Sequence, residues 1–82
     1  MGTANGQLKS PKGIAVDTQG FIVVADSGNS RVQVFRANGD HFCSFGAPGT
    51  GAGQFRGLEG LALTADGRVV VADKDNHRIQ IF

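Results

Sequence analysis

The sequence predicts an all-β chain built from β-propeller blades, each an antiparallel sheet of up to four strands. Two observations carry this. The stretch FIVVADSGNSRVQVF at Phe21–Phe35 returns as RVVVADKDNHRIQIF at Arg68–Phe82, a shift of 47 residues. A period of this size is that of a four-stranded propeller blade. Aligning Gly6–Phe35 on Gly53–Phe82 gives 13 identities in 30 positions, where chance gives roughly two at ordinary residue frequencies. The apolar runs between the turn signals are also short, rich in Val and Ile, and either continuous or alternating, as in strands.

Gly13–Val16 is a short apolar run and reads as the first strand. Asp17-Thr18-Gln19-Gly20 is a tight turn, with Gly20 available for a positive φ. Phe21–Ala25 is continuous and β-branched, the pattern of a strand covered on both faces. Asp26–Ser30 holds Gly28 and Asn29 and reads as a loop. Arg31–Phe35 alternates, with Val32 and Val34 on one face and Arg31 and Gln33 on the other. Asn38-Gly39 is a strong hairpin signal, and Phe42–Phe45 follows as the fourth strand. Gly46–Gly53 reads as a flexible connector. The second unit repeats three strands, Leu61–Leu63, Arg68–Ala72 and Arg78–Phe82, and no helix is expected. The expected division is a tail at 1–5, a first blade at 6–46, a linker at 47–52 and a second blade at 53–82 that lacks its outer strand.

A chain of 82 residues is at most one small domain, and its core is marginal unless something completes it. The single cysteine, Cys43, forms no internal disulfide, and two His with one Cys cannot build the usual four-ligand zinc site. The open blade faces therefore predict self-association, or completion by the remaining blades of a larger propeller. The net charge of +1 gives no overall pull towards nucleic acid or membrane. No apolar run is long enough to span a bilayer, and the first residues carry no secretory signal. With an unpaired cysteine, these features point to the cytoplasm.

Blade topology sorts the charges. The loops from second to third strand share one end of the blades with the segments that enter each first strand. That end carries Lys9, Lys12, Arg56, Lys74 and His77, together with Arg31 and Arg78. Its six Lys and Arg against Asp26, Glu59, Asp73 and Asp75 give +2. The other end has Arg36 and Arg68 against Asp17, Asp40 and Asp66, or −1. The basic end is the candidate for phosphate contact. Arg31 and Arg78 each follow an Asp by five residues across one loop, so an ion pair within the blade competes with a ligand for them. Asn29 and Asn76 are expected to cap the same loop by side-chain-to-backbone bonds. The chain has no Tyr or Trp for base stacking, so backbone and shape contacts are the expected mode.

Three motifs fail their own chemistry. Asp73-Lys74-Asp75-Asn76 opens like a calcium loop but has Arg78 where glycine is required. Gly49-Thr50-Gly51-Ala52-Gly53 has no following Lys-Ser/Thr and no helix to form a phosphate cradle. Cys43, in an alternating strand, reads as a small core residue rather than a nucleophile. No catalytic constellation and no cofactor site are visible.

The motifs GIAVD, VVADSGNSRVQVF, the Asn-Gly hairpin and FCSFG together resemble the NHL repeat. The second copy keeps Asn76-His77 of the family's Asn-His-Leu triplet, with Arg78 in place of Leu. The spelling is most similar to the propellers of tripartite-motif ubiquitin ligases and related translational repressors. The resemblance implies a propeller of about six blades, with the GIAVD strand innermost and no chemistry of its own. It implies a non-enzymatic binding module for RNA or a protein partner. A self-assembling or protein-interaction scaffold without nucleic-acid binding is the competing expectation.

Overall fold

The structure, a computed structural model, describes residues 4–82. The first part of the expected tail, residues 1–3, lies outside the described residues. The first sheet holds β1 (Pro11–Val16), β2 (Ile22–Asp26), β3 (Arg31–Phe35) and β4 (His41–Phe45), in sequential order and antiparallel throughout. Then come β5 (Ala47–Pro48) and β6 (Gln54–Phe55), which pair in parallel. The last sheet is β7 (Leu58–Leu63), β8 (Val69–Asp73) and β9 (Arg78–Ile81), again antiparallel. The described residues contain no α-helix, and none of their helices is long and apolar enough to cross a membrane.

The repeat is preserved in geometry. β1 has an irregularity between Pro11 and Gly13, and β7 has the same between Leu58 and Gly60. The sheets pack face to face through Val23, Ala25, Val32, Phe55, Leu58 and Val71. Phe82 joins this seam, with its ring 4.7 Å from Phe45 and tilted against it, and 5.8 Å from Phe55 in the edge-on geometry aromatic pairs favour.

The turns differ from the simplest hairpin. At Asn38-Gly39 the loop is wider than two residues. The Gly39 N–H donates to Arg36 O, and the Arg36 N–H donates to Asp40 O. This is a type I turn closed by a left-handed glycine. Asp17–Phe21 and Thr64–Arg68 make the same two bonds, with Gly20 and Gly67 in Gly39's place. All three glycines have positive φ, 89°, 95° and 88° in chain order. Asp17 and Thr64 add side-chain support, Asp17 Oδ1 accepting from the Gln19 and Phe21 amides and Thr64 Oγ1 from the Arg68 amide.

Three further expectations are corrected. Asp26 belongs to β2, and Ser27–Asn29 form a single 3-10 turn closed by Ser30 at φ 52°; Lys74–Asn76 and His77 repeat this. The glycine-rich stretch is tied down by the β5–β6 ladder rather than loose throughout. Its role is to deliver Phe55, which is fully buried. Cys43 is exposed, not part of the core. It lies on the outer strand β4, and the three-stranded second sheet reaches Phe45 through Phe82 without covering it.

Gly39→Ala isolates the backbone cost of these turns, because a methyl group there meets nothing within 4 Å. It is expected to destabilise the chain by about 1–2 kcal/mol, the cost of a left-handed non-glycine residue. Urea unfolding should show this as a lower midpoint with an unchanged m-value.

Candidate functional site

The basic end is built from two copies of one corner. Each centres on a fully buried carboxylate, Asp26 at the end of β2 and Asp73 at the end of β8. A buried charge must be hydrogen-bonded to persist. At the first corner the Lys9 N–H donates to Asp26 Oδ1 at 2.7 Å, and Asp26 Oδ2 accepts from Arg31 Nε at 2.8 Å and Asn29 Nδ2 at 3.0 Å. Gln33 Nε2 adds a fourth bond at 3.2 Å. At the second corner the Arg56 and Gly57 N–H groups both donate to Asp73 Oδ1 at 3.0 Å. Asp73 Oδ2 accepts from Asn76 Nδ2 at 2.7 Å and Arg78 Nε at 3.3 Å.

Arg31 and Arg78 then extend the corner to the entering chain. Arg31 Nη2 donates to Ala4 O and Gln7 O; Arg78 donates to Thr50 O, Gly51 O and Gln54 O. The glutamines two residues on complete the tie. Gln33 Oε1 accepts the Gly6 N–H and Gln80 Oε1 the Gly53 N–H, at 3.0 and 2.9 Å. Their amide groups donate to Gln7 O and Gln54 O. Each corner thus fastens the segment before a blade to that blade's second and third strands.

Burial alone would raise the Asp26 carboxyl above its ordinary 3.8. The bonds from the Lys9 amide and the Asn29, Arg31 and Gln33 side chains outweigh it and hold the carboxyl lower. Asp73 follows the same pattern, burial raising it and the Gly57 and Arg56 amides, Asn76 and Arg78 lowering it further.

The seven sequence candidates fall into two groups. Arg31 and Arg78 sit at the corners as ion-pair partners, with side chains 13% and 28% exposed. Lys9, Lys12, Arg56, Lys74 and His77 are exposed around them. Lys9 and Arg56 are equivalent in the repeat, and their backbones are anchored on the two carboxylates. Lys74 lies 3.8 Å from Glu59 in an exposed pair, which contributes little fixed geometry. His77 closes the second 3-10 turn in the left-handed region, φ 51°. Asn29 and Asn76 bond to the Asp side chain rather than capping their own loop's backbone, and Asn76 also donates to Gly49 O. Sequence reasoning missed Gln33 and Gln80. Their identity in the repeat was the available signal, but alternation gave Gln33 only a place on the face opposite Val32 and Val34, with no partner. Among the described residues no group of three His, Cys, Asp or Glu gathers to hold a metal ion.

A family model for the NHL repeat matches residues 8–35 and 55–82. The chain is 54% identical over 38 residues to the E3 ubiquitin-protein ligase TRIM71 of Mus musculus, covering 46% of this chain and 4% of that protein. The B-box type zinc finger protein ncl-1 of Caenorhabditis elegans is 53% identical over 38 residues, covering 46% of this chain and 4% of that protein. The protein brain tumor of Drosophila melanogaster is 42% identical over 48, covering 58% of this chain and 5% of that protein. The chain therefore spans only about one twentieth of these relatives' lengths.

Because both carboxyls are depressed on folding, each corner contributes its full stability above the unfolded value of 3.8 and loses it as pH falls through the lower folded value. Asp73→Asn is expected to cost about 3–5 kcal/mol at neutral pH, the usual result of breaking a buried pair. Urea unfolding at pH 7 and pH 3 checks both statements: the gap between wild type and variant narrows at the lower pH.

Proposed function

The chain belongs to the NHL-repeat family, and from that premise we propose that it is a non-enzymatic binding module whose basic end docks RNA through its phosphates. Residues 6–46 and 53–82 act as two repeat units joined by 47–52. The observation that carries the reading is the fate of the acids at the basic end. Asp26 and Asp73 are buried and paired with Arg31 and Arg78. The charge left exposed there is Lys9, Lys12, Arg56 and Lys74 against Glu59 and Asp75. A phosphate approaching this end meets the lysines and Arg56 without facing the two buried carboxylates. His77 adds a donor beside Lys74 on the same rim. Arg31 and Arg78 contribute by holding the corners in place.

The absence of Tyr and Trp favours backbone contact over base stacking. The similarity to the E3 ubiquitin-protein ligase TRIM71 supports a place in ubiquitin-ligase targeting for the larger assembly such a module serves. A protein partner in place of RNA is the competing outcome, and salt dependence separates the two.

Binding of a labelled single-stranded RNA is measured across a salt series. If Lys9, Lys12, Arg56 and Lys74 each meet one phosphate, log K falls with log salt at a slope of about −3. Changing the four to Ala is expected to flatten that slope towards zero while the melting temperature stays near wild type. Equal affinity and equal slope in the variant would overturn the reading.

A further inference from the structure

Each sheet has two faces, and among the described residues one pair of faces meets. Residues directly opposite in an antiparallel ladder share a face. The registers therefore put Gly13, Ala15, Val23, Ala25, Val32 and Val34 on one face of the first sheet. This face lies on Leu61, Leu63, Val69 and Val71 of the second sheet. Among the described residues the reverse faces are open in part: Val24 and Gln33 on the first sheet's reverse face are buried, but the apolar residues beside them are not. Ile79 and Ile81 on β9 are 68% and 60% exposed, and Ile14 and Val16 on β1 are 68% and 62% exposed.

The 47-residue shift relates the open faces to the closed ones. Gly60, Ala62, Val70, Ala72, Ile79 and Ile81 are the counterparts of the six residues on the first sheet's covered face. Ile14, Val16, Ile22 and Val24 are the counterparts of the four residues that cover it. The chain thus carries both halves of its own internal contact a second time, one half on each sheet, with Ile14, Val16, Ile79 and Ile81 left exposed and Val24 already buried. We infer that the open face of the second sheet docks on the open face of the first sheet of another copy, head to tail, repeating the contact already made inside the chain.

Three features of the surfaces fit this occupant. The first sheet has an open groove lined by Leu8, Pro11, Lys12, Gly13, Ile14 and Val24. The counterparts of these residues are Phe55, Leu58, Glu59, Gly60, Leu61 and Val71, the surface on which the first sheet lies. The same groove is therefore filled on one blade and empty on the other. Volumes also balance. Ile79, Ile81 and Ile22 each add a methylene to their counterparts Val32, Val34 and Val69, while Leu8, Pro11 and Val16 are smaller than Phe55, Leu58 and Leu63. Changes that conserve total volume are the ones apolar interfaces tolerate. Finally, Gly13 lies at a close approach, where a Cβ would stand 3.3 Å from Gly60 Cα, tighter than most such contacts. Gly60 takes that place in the contact between copies, although within one chain a Cβ on it meets nothing within 4 Å. Because the two surfaces differ, the contact is heterologous and adds copies until a ring closes or a fibre grows. It does not depend on what the basic end binds.

Sedimentation velocity of the full chain over a concentration series tests this. Wild type is expected to form species larger than its 8.5 kDa, increasing with concentration. A variant with Ile79→Asp and Ile81→Asp loses one face, and a variant with Ile14→Asp and Val16→Asp loses the other. Each alone should stay monomeric, and an equimolar mixture should give a one-to-one dimer that grows no further. Gly60→Ala guards against misfolding: its melting curve should match wild type, while association weakens by about tenfold from overpacking. A folded wild type that remains monomeric at millimolar concentration would overturn the inference. So would self-pairing of either single-face variant, or undiminished association of Gly60→Ala.

Discussion

The structure depends on two negative charges taken out of water. An unpaired buried carboxylate carries a penalty of several kcal/mol, so Asp26 and Asp73 can exist only where donors converge. Those donors come from three places: the segment entering the blade, the 3-10 turn, and the third strand. Satisfying one side chain therefore fixes the relation of three pieces of backbone that local propensity would leave independent. The effect reaches the core. Gln54 O accepts from both Arg78 and Gln80, which fixes the chain at Gln54 and places Phe55 between the sheets. Without that ring the seam between the blades loses one of its largest fully buried side chains.

The same corners shape the basic end. Lys9 and Arg56 project from backbone whose N–H groups are bound to the carboxylates, so their side chains leave from fixed points. Binding to such a surface pays less to order the protein than binding to a free loop would. Stability and charge display are thus coupled: acid weakens the corners and also loosens the points from which the cations extend.

Much of the fold was legible in the sequence, because a repeat reports each element twice. The VVAD strands, the alternation in Arg31–Phe35 and the glycines at Gly20 and Gly67 fixed strands and turns through local chemistry alone. The ion pairs were legible too, as an Asp and an Arg at equal spacing in both copies. What escaped needed tertiary context. Alternation puts Gln33 on the face opposite Val32 and Val34 and gives no sign that the entering segment, whose amides it bonds, covers that face. Cys43 looks inward by the same rule, yet the facing sheet does not cover it. Phe55 follows a glycine-rich stretch that gives no strand signal, and the ladder to Ala47–Pro48 together with the bonds to Gln54 O places it. The candidate site was readable as a charge distribution and not as a geometry, since burial of the two acids is a consequence of packing.

The most direct test of the central role of these carboxylates is native-state hydrogen exchange at the amides of Lys9, Arg56 and Gly57. These groups lie outside regular ladders, where loop amides exchange quickly. If the buried Asp side chains hold the blades together, the three amides should be protected to the level of the strand amides of β2 and β8. In Asp26→Asn, Lys9 alone should lose that protection, while Arg56 and Gly57 keep theirs. Loop-rate exchange at all three amides in the wild-type chain would contradict the account.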